Sequence, residues 1–248
     1  MFRRPGFWFV ILLATAACVA FSVANFPRAV PVVTLEFEMD REAALRAARD
    51  LDKRFRWGPE EFRQAASFDL DSRVQSFVEL EGGGKEAFSR MLSDGLYWPY
   101  HWTVRNFAEF ETNETSVRFS PSGQPIGFVE TIAEEDEGPA LESSIARTLA
   151  ERVAIRDWAV DLEQYSLVEQ ADEVRPSGRI DHTFVYERRE PTIGSEGRYR
   201  LRLVMSGDRF TDLTHFVKVP ESFSRRYEEM RSANDGIAAG AGIAAAVL

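Results

Sequence analysis

Cysteine is nearly absent from this 248-residue chain: Cys18 stands alone. An internal disulfide framework and any zinc site built on several thiolates are therefore excluded. Histidine is almost as scarce, with only His101, His182 and His215. Acidic residues are missing from residues 1–28, which carry Arg3, Arg4 and Arg28. The other 220 residues hold 27 basic and 40 acidic side chains, a net charge of −13. Such an acidic body lacks the clustered Lys and Arg that bind phosphate backbones or anionic lipid, so a nucleic-acid partner is excluded. At 44% hydrophobic and 28% charged, the composition is that of a globular protein.

Both ends are apolar. From Phe7 to Ala24 there is no charge, about the shortest run that can cross a bilayer as a helix. Arg3 and Arg4 predict a cytoplasmic N-terminus and an exported body by the positive-inside rule. A cleaved signal peptide ending near Ser22-Val-Ala24 is the competing reading, but the length of the run and the bulky Phe7-Trp8-Phe9 favour a retained anchor over residues 1–28. At the other end, residues 236–248 are uncharged and rich in Gly and Ala. They are too short to span a bilayer, yet they have the small-residue composition of packed membrane helices. The expectation is the start of a second transmembrane helix.

Between them the pattern predicts an α+β fold. Asp40 caps a helix whose apolar face is Ala44, Leu45, Ala48 and Leu51. Gln75–Leu80 predicts a strand, residues 81–84 a turn, and Lys85–Leu92 a short helix. Strands are expected over Tyr100–Phe107, Glu114–Phe119 and Pro125–Ile132, the last two joined by a Ser120-Pro-Ser-Gly123 hairpin signal. The order then repeats. A helix over Leu141–Val153, with Ile145, Leu149 and Val153 in register, precedes strands at Leu162–Gln170, His182–Glu187, Tyr199–Met205 and Phe210–Val219. Echoes between the halves include Trp57 with Trp158 and His101-Trp-Thr-Val with His182-Thr-Phe-Val. Their offset falls from about 100 residues to about 84, predicting an insertion near residues 70–97 of the first unit. Residues 30–138 and 139–221 thus form two helix-plus-antiparallel-sheet repeats, and 222–235 a juxtamembrane helix.

No catalytic constellation emerges. Gly194-Ser-Glu-Gly197 has the wrong spacing for a nucleophile elbow, and Gly82-Gly-Gly84-Lys85 lacks the upstream glycine and following Ser or Thr of a phosphate loop. The histidines fall singly on different strands, so Asp181-His182 and Asp212-x-x-His215 could ligate a metal only if those strands converged. Glu134-Glu-Asp-Glu137 is expected to be a solvated connector, and Asn113-Glu-Thr115 matches a glycan acceptor pattern. The aromatics of Tyr97-Trp-Pro-Tyr-His-Trp102 suit either a core or a peptide groove. No catalytic, cofactor-binding or metal-binding residue is assigned.

Tyr97-Trp-Pro-Tyr-His-Trp-Thr-Val-Arg-Asn-Phe107, Asp181-His-Thr-Phe-Val-Tyr-Glu187, Phe216-Val-Lys-Val-Pro-Glu221 and the stretch from Tyr227 to Asn234 resemble the exported N-terminal region of bacterial CPBP-family intramembrane metalloproteases. The repeat unit is similar to PepSY-type modules, small α+β domains associated with protease regulation. The resemblance implies an extracytoplasmic region, residues 30–235, that regulates or gates peptide or protein substrates at the cell membrane. It also implies a hydrolase whose zinc-like divalent metal is held by catalytic helices beyond residue 248. The family's Glu-Glu-x-x-x-Arg pattern has no counterpart at Glu60-Glu61, Glu134-Glu135 or Glu228-Glu229, so no catalytic residue is carried over. The alternative is a stand-alone anchored PepSY-like binding module, and a weaker third reading is an exported hydrolase using His182 and His215.

Overall fold

The computed structural model describes residues 5–29 and 38–232. They divide into two compact units that part between Glu38 and Met39. The first contains one helix, α1 (Pro5–Ala29). Its stretch Gly6–Phe26 has a mean hydropathy of 2.3 and no buried residue, so it is long and apolar enough to cross a membrane. Such a helix near the N-terminus fits a membrane span or a signal sequence. The expected second span at 236–248 lies outside the described residues.

The second unit is mixed helix and antiparallel sheet. Its chain order is α2 (Arg41–Phe55), β1 (Arg63–Leu70), α3 (Ser72–Leu80), α4 (Gly84–Ser93), β2 (Tyr100–Phe107), β3 (Glu114–Phe119) and β4 (Pro125–Thr131). Then follow α5 (Ser143–Trp158), a 3-10 turn (Leu162–Gln164), β5 (Tyr165–Val174), β6 (Ile180–Arg188), β7 (Arg198–Ser206) and β8 (Arg209–Lys218). A last helix, α6, is followed from 221 to 232. All eight strands join one sheet in the order β1-β2-β3-β4-β8-β7-β6-β5. The middle is the antiparallel β4–β8 pair, in which Phe128 stands opposite Leu213.

The reasons are local. Asp40 has extended backbone, and its Oδ1 accepts from Ala43 N at 2.7 Å, which satisfies one of the free donors of the first turn of α2. The expected face holds: Ala44 and Ala48 are fully buried, and Leu45 and Leu51 pack against the core. On α5 the expected face is corrected. Ile145 is 50% exposed, whereas Ala146, Ala150 and Ala154 are fully buried. Methyl side chains at i, i+4 and i+8 let the α5 backbone approach the sheet more closely than Ile and Leu would allow.

Gln75–Leu80 is not a strand. Asp71 accepts from Val74 N, and α3 buries Val74, Phe77 and Val78 at helical spacing. Six residues are too few for periodicity to separate two apolar periods. Strand β1 had no sequence signal, because Ala65, Ala66 and Ser67 carry little β preference. It sits at the sheet edge, where its pairing with β2 supplies what propensity does not. The far edge, β5, presents Glu169, Asp172 and Glu173, charges that discourage edge-to-edge association.

The core runs between the sheet and α2 and α5. Four stacked rings cross it: Phe55 and Trp57 have centroids 4.7 Å apart, Trp57 and Phe128 4.1 Å, and Phe128 and Trp158 5.1 Å. The stack brings the C-terminal ends of both helices onto β4.

Candidate functional site

At that end of α5 a cleft of about 300 Å³ opens. One wall is the α4–β2 connection, with Leu96, Tyr97 and Trp98. The other is Trp158 to Asp161 with Gln164 and Tyr165, and the floor includes Ile126, Leu213 and His215. Its volume is at the small end of ligand pockets. Two arginines, Arg118 and Arg188, and two histidines, His101 and His215, line it.

The cleft divides the aromatic run of Tyr97–Trp102. Tyr100 is buried against Phe88, and Trp102 donates its indole N–H to Met39 O at 3.1 Å in the core. Tyr97 and Trp98 face the cleft, and Tyr97 is fixed by donating its hydroxyl to Asp71 Oδ2 at 2.9 Å. Burial and the Asp71 carboxylate raise the Tyr97 pKa, so the phenol stays neutral. On the opposite wall Trp158 has a buried Nε1 with no hydrogen-bond partner among the described residues.

His101 donates Nδ1–H to Trp98 O at 3.2 Å, which leaves Nε2 as an acceptor. Burial, reinforced by Arg118, holds its pKa below the usual histidine value. Burial and then Arg188 push His215 down to about 4. Both rings are therefore neutral near pH 7, and the arginines are the cationic groups of the cleft. Its carboxylate, Asp161, is engaged locally, accepting from Glu163 N at 3.2 Å and Gln164 Nε2 at 2.6 Å.

The convergence that a metal site at His182 and His215 would require does not occur among the described residues. His182 is 1% exposed; its Nε2 donates to Leu141 O at 3.0 Å and its Nδ1 lies 2.8 Å from Asp172 Oδ1. It secures the chain entering α5 and takes no part in the cleft. Asp212 is committed to Arg202 and to the Thr214 hydroxyl. No group of three or more His, Cys, Asp or Glu side chains able to hold a metal occurs among the described residues. The acidic loop 134–137 is tied down rather than merely solvated: Arg175 reaches Glu134 at 3.2 Å, and Arg179 donates to the carbonyls of Ala133 and Asp136. Asn113 is likewise engaged, accepting from Ala133 N and donating to Asp136.

Sequence reasoning had Tyr97 and Trp98 but missed Arg118 and Arg188. In sequence each is one arginine in an alternating strand, and only the fold carries both to one cleft. Compared with family models, curated proteins and solved structures, the chain matches none.

Proposed function

We propose that residues 39–232 are a non-catalytic, peptide-binding module held at a membrane by α1 with the body on the extracytoplasmic side. The observation that carries this reading is the cleft, where Tyr97, Trp98 and Trp158 offer aromatic walls beside polar groups that fix orientation. A partly open cleft that alternates aromatic faces with polar groups is a surface on which a short peptide can dock and be oriented.

The finer assignment is to two PepSY-like repeats, supported by the order of the elements. A helix and four strands occur twice, meeting at the β4–β8 pair, and α3 and α4 interrupt the first set where an insertion was expected. The resemblance of residues 97–107 and 181–187 to CPBP-type proteases is the ground for a regulatory or substrate-gating role, in which metal-dependent peptide hydrolysis would belong to membrane helices following residue 248. Several hydrophobic segments bearing Glu-Glu-x-x-x-Arg in the downstream coding sequence would agree with that role, and a stop codon after Leu248 would sink it.

The binding function itself is tested with the full chain in detergent micelles, dialysed against a defined pool of free and amidated tetrapeptides. Enrichment of a peptide subset, reduced at least tenfold by Trp98→Ala, is expected. No enrichment above a blank micelle would overturn the module reading.

A further inference from the structure

Arginines shielded from water in this protein are nearly all neutralised. Seven of the described arginines are not fully exposed: Arg118, Arg175, Arg179, Arg188, Arg198, Arg200 and Arg202. Arg175 and Arg179 pair with Asp181, Arg198 and Arg200 with Glu187, and Arg202 with Asp212. The two left over are Arg118 and Arg188, and both line the same cleft. The Arg118 side chain makes no hydrogen bond or ion pair among the described residues. Arg188 has neutral partners, Glu190 O at 2.9 Å, Gln164 Oε1 and the Tyr165 side chain, whose ring it overlies at 5.8 Å.

A half-buried guanidinium without an anion forgoes solvation and gains no charge partner. Two in one small cleft, within a chain of net charge −10, form a local reversal of sign. Asp161 offsets one of the two charges, its oxygens accepting from Glu163 N and Gln164 Nε2 rather than from either arginine, so the lining keeps a net charge of about +1. The unused donor fork of Arg118 matches a carboxylate bidentately, while Arg188, with Nε and Nη2 engaged, adds its charge and Nη1; Tyr97, Trp98 and Trp158 offer an organic body the surface that inorganic phosphate would leave empty.

We propose that this cleft receives a carboxylate carried on an aromatic or apolar body, as at the free C-terminal end of a peptide, with Arg118 and Arg188 as its charge partners. This rests on the peptide-binding reading and names its ligand chemistry. With the pKa values of His101 and His215 both held below the usual histidine value, binding should change little above pH 7.

Calorimetry on the full chain in micelles tests it with three probes: N-acetylphenylalanine, its C-terminal amide, and inorganic phosphate. The acid is expected to bind saturably at one site, the amide at least tenfold more weakly, and phosphate not to compete. Arg118→Gln and Arg188→Gln should each weaken the acid at least tenfold at unchanged Tm, while Arg189→Gln, at an exposed neighbour, leaves it intact. Should the cleft variants fail to fold, the acid-to-amide ratio in the native chain decides alone. Equal binding of acid and amide, competition by phosphate, or no binding of the acid would each overturn the carboxylate assignment. Amide-tolerant peptides enriched from the pool and sensitive to Trp98→Ala would still leave the module reading standing.

Discussion

Helices α2 and α5 do the same job in the two halves by opposite means. Each begins after extended backbone, covers the sheet, and ends in a left-handed residue, Arg56 (φ 56°) and Ala159 (φ 53°). Helix α2 is tightly specified: it has a side-chain cap, two buried alanines, partly buried leucines and one buried acid, Asp52. Helix α5 fully buries three alanines, with Leu149 and Trp158 partly buried beside them, and Glu142 at its N-cap makes no side-chain hydrogen bond. Helix α5 meets its strands through polar contacts of residues outside the core, Glu151 with the Tyr186 hydroxyl and Ser143 with Gln170, whereas α2 carries its polar network inward to the buried Asp52. The difference explains why the sequence pattern located the face of α2 but misplaced that of α5: larger apolar residues dominate a periodicity reading, while contact with a flat sheet favours the smallest.

The two helices converge on Phe128, so removing that ring should damage both halves together. Phe128→Ala removes the ring that both Trp57 and Trp158 stack against and is expected to cost about 3–5 kcal/mol, as large core truncations do. A single cooperative transition at lower Tm is the expected calorimetric result. Two separated transitions would show that the halves are coupled elsewhere.

The next effect is confined to α2. Asp52 is 3% exposed; Asn106 donates to its Oδ2, Gln64 donates to Asn106 at 2.9 Å, and Oδ1 has no partner among the described residues. Burial, opposed by the Asn106 hydrogen bond and aided by Glu130, raises its pKa from 3.8 to about 7. A carboxyl with a raised folded-state pKa binds its proton more tightly when folded. Its effect is therefore to lower stability as pH climbs from about 4 to about 7, with the full penalty present above 7. Asp52→Asn, which keeps an acceptor for Asn106, should stabilise the protein at pH 8 by about 2–4 kcal/mol. The gain should shrink toward zero near pH 4. Urea titrations at both pH values measure it, and a pH-independent gain would assign the cost to the missing hydrogen bond rather than to ionisation.

How much was legible follows the same division. Strands β2 and β3 were bounded residue for residue, because long aromatic and β-branched runs between turn signals leave little choice. The start of α2 was fixed by Asp40. Strand β1 and helix α3 were not legible, since the former is held by its neighbour and the latter by burial against residues far along the chain, such as Phe223 against Phe77 at 5.1 Å. The cleft was half legible. Aromatic residues advertise themselves in a sequence, but an arginine lacking a counter-ion is defined by what surrounds it.

The smallest effect separates the two helix starts. Asp40→Ala removes an acceptor from Ala43 N and should cost about 1 kcal/mol, the usual worth of a side-chain cap. Glu142→Ala removes nothing that the first turn of α5 uses, because its side chain caps no donor there; a change of under about 0.5 kcal/mol is expected. The reverse substitution is more informative. Glu142 already has extended φ and ψ of −69° and 143°, close to the −93° and 175° of Asp40, so a short acceptor would find its geometry waiting. Glu142→Ser should therefore stabilise by about 0.5–1 kcal/mol, read as a rise in Tm that Glu142→Ala does not produce. If serine and alanine behave alike, the start of α5 is set by packing of its alanine face, and of the two helices that cover the sheet α2 alone draws on a side-chain cap.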